Sequence, residues 1–168
     1  MELYLSIGSD SGDREGNLRA AVEALDSIFG TEGKVLSDII ETEPWGFESK
    51  TKFLNAAVKY EVDVPRGTSP EEKALEILDD IQSIEESLGR KKHEAVYDPD
   101  GKRVYSSRTI DIDIIFFGNI FMNTERLKIP HPLADKRDFV MIPTGQIASD
   151  SLIKDFPWVK PYLPFPIR

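Results

Sequence analysis

The run from Arg108 to Phe117 constrains the fold more than any other part of the chain. Its ten residues, RTIDIDIIFF, are mainly β-branched or aromatic, which favours a strand packed against a core. Side chains two apart on a strand lie on one face, so Asp111 and Asp113 should project together. Neighbouring carboxylates repel each other and are costly to desolvate. The pattern therefore calls for a compensating cation, unless this is an edge strand whose acids face water.

The composition narrows the choice of that cation. The chain has no cysteine and only two histidines, which excludes a thiolate site and leaves carboxylate oxygens as the available ligands. Mg²⁺ suits such ligands and commonly completes its coordination with substrate phosphates. The sequence therefore predicts phosphate chemistry on the strand that bears the two aspartates.

Length and charge limit the kind of protein. We expect the 168 residues to form one domain, 1–168, with a proline-rich tail at about 156–168. The net charge of -9 argues against a surface for nucleic acid or anionic membrane. The sequence shows no signal peptide and no apolar run of membrane-spanning length, and the absence of cysteine fits a reducing compartment. These features predict a cytoplasmic protein that binds neither nucleic acid nor membrane.

One segment runs against the acidic balance. Between Arg90 and Arg108 there are six lysines or arginines and three acids. A basic island on an acidic protein favours a local anionic ligand, and a solvated charged loop is the alternative.

Periodicity indicates the order of strands and helices. Strand patterns cover residues 2–7, about 34–42, about 53–64 and 108–117, with a small hairpin at 119–129. Helix patterns begin after Asp13 and at Ser69, and a shorter one at 134–148 should break near Pro143. On the second helix Glu85 lies on the apolar face, where it needs a polar partner or reaches solvent at the boundary. The charged stretch Arg90–Tyr105 predicts a long loop or a protruding hairpin.

The order β, α, β, β, α, β predicts an α+β fold. It is the ferredoxin-like split β-α-β arrangement, an antiparallel sheet with helices packed mainly on one face, here with long active-site loops. Because many functions use this architecture, the fold alone does not identify an activity.

A set of short segments carries a more specific signal. In chain order they are IGS at 7–9 with GDR at 12–14, ETEPWGF at 41–47, FLNA at 53–56, LGR at 88–90, RTIDID at 108–113, IPHP at 129–132, and Arg137 with Phe139. Together they resemble the 6-hydroxymethyl-7,8-dihydropterin pyrophosphokinases of folate biosynthesis, in the family's order from residue 4 to about 150.

The resemblance implies a reaction and its metal. Family enzymes transfer pyrophosphate from ATP to the hydroxymethyl group of the pterin and release AMP, using two Mg²⁺ ions. The metal-binding pair corresponds here to Asp111 and Asp113. Arg90 and Arg108 match the family's catalytic arginines, and a planar guanidinium suits phosphate oxygens.

The resemblance also implies the two substrate sites. The pterin positions are Thr42, Pro44, Trp45, Phe53, Asn55, Tyr105 and Phe139. The ATP positions are Gln82, Glu85, Arg90, Lys92, Arg108, Ile114, Arg126, Lys128, His131 and Arg137. The chain departs from the family pattern at 104–107, where VYSS replaces a basic residue, Trp, Gly and Pro, and Tyr105 is expected to cover the pterin in place of the tryptophan.

Two alternatives stay open at this level. Another metal-dependent nucleotide transferase with an Asp-x-Asp pair would keep Asp111 and Asp113 but would not need Phe53, Asn55 and Phe139 around a pterin. A ferredoxin-like ligand-binding or regulatory module would carry out no reaction. The expected partners are the two small-molecule substrates, and the expected state is a monomer.

Overall fold

A five-stranded antiparallel sheet forms the centre of the structure. The computed structural model describes residues 1–42, 52–89 and 109–164, together with 96–97, 99–100 and 103–104. The strands are β1 (Glu2–Ser9), β2 (Val35–Leu36), β3 (Ile40–Thr42), β4 (Phe53–Glu61), β5 (Val96–Tyr97), β6 (Arg103–Val104), β7 (Asp111–Phe117), β8 (Met122–Asn123) and β9 (Lys128–Ile129). The helices are α1 (Arg14–Phe29), α2 (Pro70–Ser87), α3 (Asp138–Gln146) and α4 (Asp150–Asp155), with a 3₁₀ turn (Ala134–Lys136) and a 3₁₀ helix (Pro157–Tyr162).

The sheet has the predicted topology. Its order is β2-β4-β1-β7, and β3 also pairs with β4. When β2 and β3 are taken as one interrupted strand, the elements follow the ferredoxin-like order along the chain. The α+β fold class is therefore confirmed.

Local sequence signals set the bounds of the two long helices. The Asp13 side chain accepts a hydrogen bond from the Gly16 amide at 3.0 Å, and α1 ends where Gly30 adopts a φ of 76°. At the start of α2, the Ser69 hydroxyl accepts from the Glu72 amide at 3.1 Å. These caps satisfy amides that the first turn of a helix leaves without partners.

Each face of the sheet carries its own core. On β1, Leu3, Leu5 and Ile7 pack with α1 and α2, as predicted for the long helices. Tyr4 points to the opposite face and packs with residues of α3, α4 and the 3₁₀ helix. Residues 131–162, here called the C-terminal segment, thus cover part of a face that the prediction left largely open.

Several predicted bounds need correction. The run at 34–42 is interrupted at Ser37, whose hydroxyl accepts from the Ala57 amide at 2.8 Å in place of a backbone carbonyl. The next strand ends at Glu61 rather than at residue 64. The helix at 134–148 breaks at Arg137, which is extended with φ -123° and ψ 97°, while Pro143 lies inside α3. The sequence reading also missed α4, which Ser149 caps by accepting from the Leu152 amide.

Two hairpins agree with the prediction. The backbones of β5 and β6 pair antiparallel within the charged stretch, and β8 pairs with β9. Among the residues that the structure describes, none of the helices combines the length and apolar character needed to cross a bilayer.

Candidate active site

The register of the central strands gathers the predicted site residues into rows across the sheet. Gly8 on β1 lies opposite Asn55 on β4 and opposite Asp111 on β7. Two residues earlier on β1, Ser6 lies opposite Asp113. Because these β1 residues alternate with Leu5 and Ile7, the rows lie on the face away from α1 and α2. Asn55, which is predicted to bind the pterin, and the predicted metal pair therefore share one surface.

The two aspartates have the predicted arrangement. Asp111 and Asp113 are half-buried, while Ile112 and Ile114 between and after them are buried in the core under α1 and α2. Groups of three or more metal-ligating side chains do not occur in the part of the chain that the structure describes. Two carboxylates on one strand are a donor set that fits Mg²⁺ held jointly with substrate phosphates.

Glu85 supports the aspartate strand from α2. Its side chain is only 7% exposed, and its Oε2 accepts a hydrogen bond from the Ile112 amide at 3.0 Å. The reading in which this glutamate reaches solvent is therefore wrong, because a backbone amide is its partner. Ile112 lies between the two aspartates, so this bond fixes the backbone from which both carboxylates project to the same face.

Asn55 is held in one orientation by its neighbours. It is 4% exposed, and its Nδ2 donates to Thr42 Oγ1 on β3 at 3.0 Å. Its Oδ1 faces Gly8, where a Cβ would lie only 2.8 Å from that oxygen. The sequence reading did not include Gly8 among the site residues. A glycine near the end of a strand is the signal that indicates such a close approach.

The C-terminal segment brings three more predicted residues to this face. The His131 amide donates to the Ile115 carbonyl on β7 at 3.0 Å, which attaches the segment beside the aspartates. Arg137 stands between the 3₁₀ turn and α3, and its guanidinium carbon lies 5.7 Å from the centre of the Phe139 ring. This is a cation–π distance, so the two side chains stabilise each other's position.

The His131 imidazole is neutral at pH 7. Burial lowers its pKa to about 4, and the positive charge of Arg137 acts in the same direction, while Asp111 opposes it. The Nδ1 atom accepts from the Leu133 amide at 3.2 Å, which leaves the proton on Nε2. His131 is thus a hydrogen-bond donor through Nε2 without a full charge.

The other predicted nucleotide residues lie farther along the sheet edge and α2. Arg126 pairs with Asp79, one turn before Gln82, and both Gln82 and Lys128 are exposed. The Ile114 side chain is buried in the core on the opposite face, so only its backbone can meet a ligand. Six predicted site residues lie outside the described residues: Pro44, Trp45, Arg90, Lys92, Tyr105 and Arg108.

Arg14 is a further residue that the sequence reading did not assign to the site. Its Nη1 donates to the Lys52 carbonyl at 2.6 Å and lies 3.0 Å from the Glu41 carboxylate. It therefore fixes the end of β3 against the start of β4, next to Thr42 and Phe53. The partners are far apart in sequence, so no local pattern indicates this contact.

The Glu85 bond makes a prediction about stability. We expect Glu85→Ala to lower the free energy of unfolding by about 2–3 kcal/mol, because it leaves a buried amide without an acceptor. Glu85→Gln retains an acceptor oxygen and should lose less. Urea denaturation measures both, with the exposed neighbour Glu86→Ala as the control. An unfolding free energy of Glu85→Ala within about 0.5 kcal/mol of wild type would contradict this assignment.

The His131 environment predicts a pH dependence. Its pKa is about 4 when folded and about 6.5 when unfolded, so the unfolded chain binds more protons between these values. This contribution to stability is fully present above pH 6.5 and is lost as the pH falls toward 4. We therefore compare the unfolding free energies of wild type and His131→Asn in metal-free buffer. We expect the wild-type value minus the variant value to decrease as the pH is lowered from 6.5 to about 4. A difference that is constant with pH would contradict the buried neutral imidazole.

Comparison with known proteins gives the same family as the motifs. A sequence model described as 7,8-dihydro-6-hydroxymethylpterin-pyrophosphokinase (HPPK) matches residues 4–149. A relative from Porphyromonas gingivalis, named 2-amino-4-hydroxy-6-hydroxymethyldihydropteridine pyrophosphokinase, is 37% identical over 166 residues, which cover 98% of this chain and 97% of the relative.

Proteins of the same name from two other bacteria are also similar. The one from Haemophilus influenzae is 31% identical over 150 residues, covering 89% of this chain and 83% of its own. The one from Bacillus subtilis is 35% identical over 144 residues, covering 86% and 76%. The family match at residues 4–149 extends over all the motifs and both long helices. Together with these relatives, it confirms that the chain belongs to the 7,8-dihydro-6-hydroxymethylpterin-pyrophosphokinase family of enzymes.

Proposed function

We propose that this enzyme transfers pyrophosphate from Mg²⁺-bound ATP to 6-hydroxymethyl-7,8-dihydropterin, giving the pterin diphosphate and AMP in folate biosynthesis. The observation that carries the proposal is the row Asn55, Gly8, Asp111 across three paired strands. It sets an oriented amide, which suits the edge of a heterocycle, beside a carboxylate pair, which suits metal-bound phosphates. This juxtaposition is what a transfer between a pterin and a nucleotide requires.

The pterin half of the site rests on Asn55 and two phenylalanines. A pterin is flat and has donors and acceptors along its edges, so it needs apolar plates and a few polar groups between them. Phe53 begins β4 two residues before Asn55, and both lie beside Thr42 on β3. Phe139 comes from the C-terminal segment that covers this face. We assign Phe53 and Phe139 to stacking and Asn55 to the ring edge.

The nucleotide half rests on charge. Bound Mg²⁺ supplies positive charge that neutralises the triphosphate, and Asp111 and Asp113 are the residues that would hold it. Arg90, Lys92 and Arg108 in the basic stretch are assigned to the phosphates, together with Arg137. His131 offers its Nε2 proton as a neutral donor, so it binds an oxygen without adding to the charge balance.

The proposed reaction breaks one bond and forms one. The pterin hydroxymethyl oxygen attacks the β-phosphorus of ATP, and the bond from that phosphorus to the oxygen bridging to the α-phosphorus breaks. AMP leaves with the bridging oxygen, and the hydroxyl proton is released. A monomer with these two small-molecule substrates remains the expectation for the whole chain.

Product identity is the direct test of this proposal. We expect the protein to form AMP and pterin diphosphate in equal amounts from ATP, Mg²⁺ and 6-hydroxymethyl-7,8-dihydropterin. Removal of the metal with EDTA should stop the reaction. Separate Asp111→Asn and Asp113→Asn variants should each lose about 100-fold or more in kcat, because each removes one anionic ligand for the Mg²⁺ that neutralises the triphosphate.

A matched variant separates this effect from a general loss of charge. Asp63 lies exposed after β4, and Asp63→Asn should keep wild-type turnover. Formation of ADP in place of AMP would contradict the proposal and indicate an ordinary kinase. Wild-type turnover in both site variants would contradict the assignment of the aspartates.

The close approach at Gly8 predicts a selective binding defect. A Cβ at this position would displace Asn55 Oδ1, which it meets at 2.8 Å. We expect Gly8→Ala to weaken pterin binding about tenfold, equivalent to about 1.4 kcal/mol, while ATP affinity changes much less. Calorimetric titration with each substrate checks this. Equal loss for both substrates would indicate a general distortion of the sheet instead.

A further inference from the structure

A segment beyond the family match packs on the same face of the sheet as the candidate site. Residues 150–162, here named the C-terminal strap, form α4 and the 3₁₀ helix, whereas the family match ends at residue 149. Leu152, Phe156 and Val159 are buried in the second core. The Phe156 ring lies 4.9 Å from that of Phe116, which is on the same strand as the aspartates. The strap is therefore an integral layer of this face.

Ser149, the residue before the strap, is hydrogen-bonded to β1. The Ser149 amide donates to the Tyr4 hydroxyl at 3.0 Å, and the Ser149 hydroxyl donates to the Glu2 carboxylate at 2.6 Å. Ser149 also caps α4. The start of the strap is thus bonded to the central strand of the sheet.

The other end of the strap contacts the segment that carries substrate residues. The Tyr162 backbone lies so close to α3 that a Cβ at Gly145 would overlap the Tyr162 carbonyl oxygen. The Tyr162 hydroxyl donates to the Asp135 carbonyl in the 3₁₀ turn at 3.3 Å. Tyr162 therefore contacts both the 3₁₀ turn and α3, on the two sides of Arg137.

The junction between those two elements needs outside support. Arg137 is extended there, so no continuous helix sets the angle between the 3₁₀ turn and α3. A short 3₁₀ turn has weak hydrogen-bond geometry and little stability of its own. Arg137 and Phe139 lie at this junction, and their directions depend on its angle.

We propose that Tyr162 is a positioning residue, which fixes the junction at Arg137 and thereby orients the substrate-binding residues of the C-terminal segment. The proposal rests on the function proposed above for Arg137 and Phe139. Tyr162 touches neither reacting group in this scheme. It acts through Asp135 and Gly145, and its effect should fall on binding more than on the chemical step.

The conservative variant Tyr162→Phe tests this role. It removes only the hydroxyl bond to Asp135, and we expect KM for ATP and pterin to rise about threefold to tenfold, with kcat within about twofold of wild type. Tyr60→Phe is the matched control. The Tyr60 hydroxyl donates to Asp26 on α1 at 2.7 Å, in the core on the opposite face of the sheet. That control should lower thermal stability and leave both KM values unchanged.

Two further measurements keep the test decisive. Gly145→Ala should push the 3₁₀ helix off α3 and raise both KM values more than Tyr162→Phe. Amide hydrogen exchange over residues 134–141 should accelerate in Tyr162→Phe and not in Tyr60→Phe, whether or not the protein makes AMP. Wild-type KM values together with wild-type exchange in Tyr162→Phe would overturn the proposal. If wild-type protein made no AMP, the proposed function would fail, and the exchange result alone would decide the role of Tyr162.

Discussion

The pairing of β1 with β4 on one side and β7 on the other is the constraint on which the site depends. Side chains alternate between the faces of a strand, so a slip of one residue would exchange every inward side chain for an outward one. Such a slip would move Asp111 and Asp113 into the core under α1 and α2, which the described residues fill with apolar side chains. The desolvation cost of those carboxylates therefore helps to select the register, and the register in turn aligns Gly8 with Asn55 and Asp111.

The two faces of the sheet divide stability from recognition. One face is apolar along its length and is closed by two amphipathic helices. The other face is apolar at the Tyr4 and Phe116 end, where the C-terminal segment packs, and polar at the Gly8 end. Glu85 connects the two, because it belongs to a helix of the first core and binds the backbone of the strand that carries the aspartates. The packing of α2 on one face therefore also fixes the backbone that carries Asp111 and Asp113 on the other face.

Features encoded locally were predictable from the sequence, and features that depend on distant contacts were not. The strand with its two aspartates and the capped helices follow from spacing and cap residues within a few positions. Glu85 was recognised as unusual, but its partner is a backbone amide 27 residues away, which no side-chain pattern indicates. The break at Arg137 was misplaced to Pro143, since proline is the stronger local signal and the extended backbone at Arg137 is set by tertiary packing. α4 was missed because its six residues make fewer than two helical turns, too few for the apolar pattern to repeat.

The layered arrangement of the second core has a consequence for how the molecule opens. The last described elements, α4 and the 3₁₀ helix, have six residues each and bury Leu152, Phe156 and Val159, whereas the two long helices have 16 and 18 residues. Local unfolding free energies follow such differences, so the terminal layer should form a separate cooperative unit that detaches before the rest. Its detachment would bare an apolar strip of sheet, including Phe116, while the first core stays intact. Partly opened molecules of this kind are prone to associate with one another, so the lifetime of the enzyme in a crowded solution depends on its least stable layer.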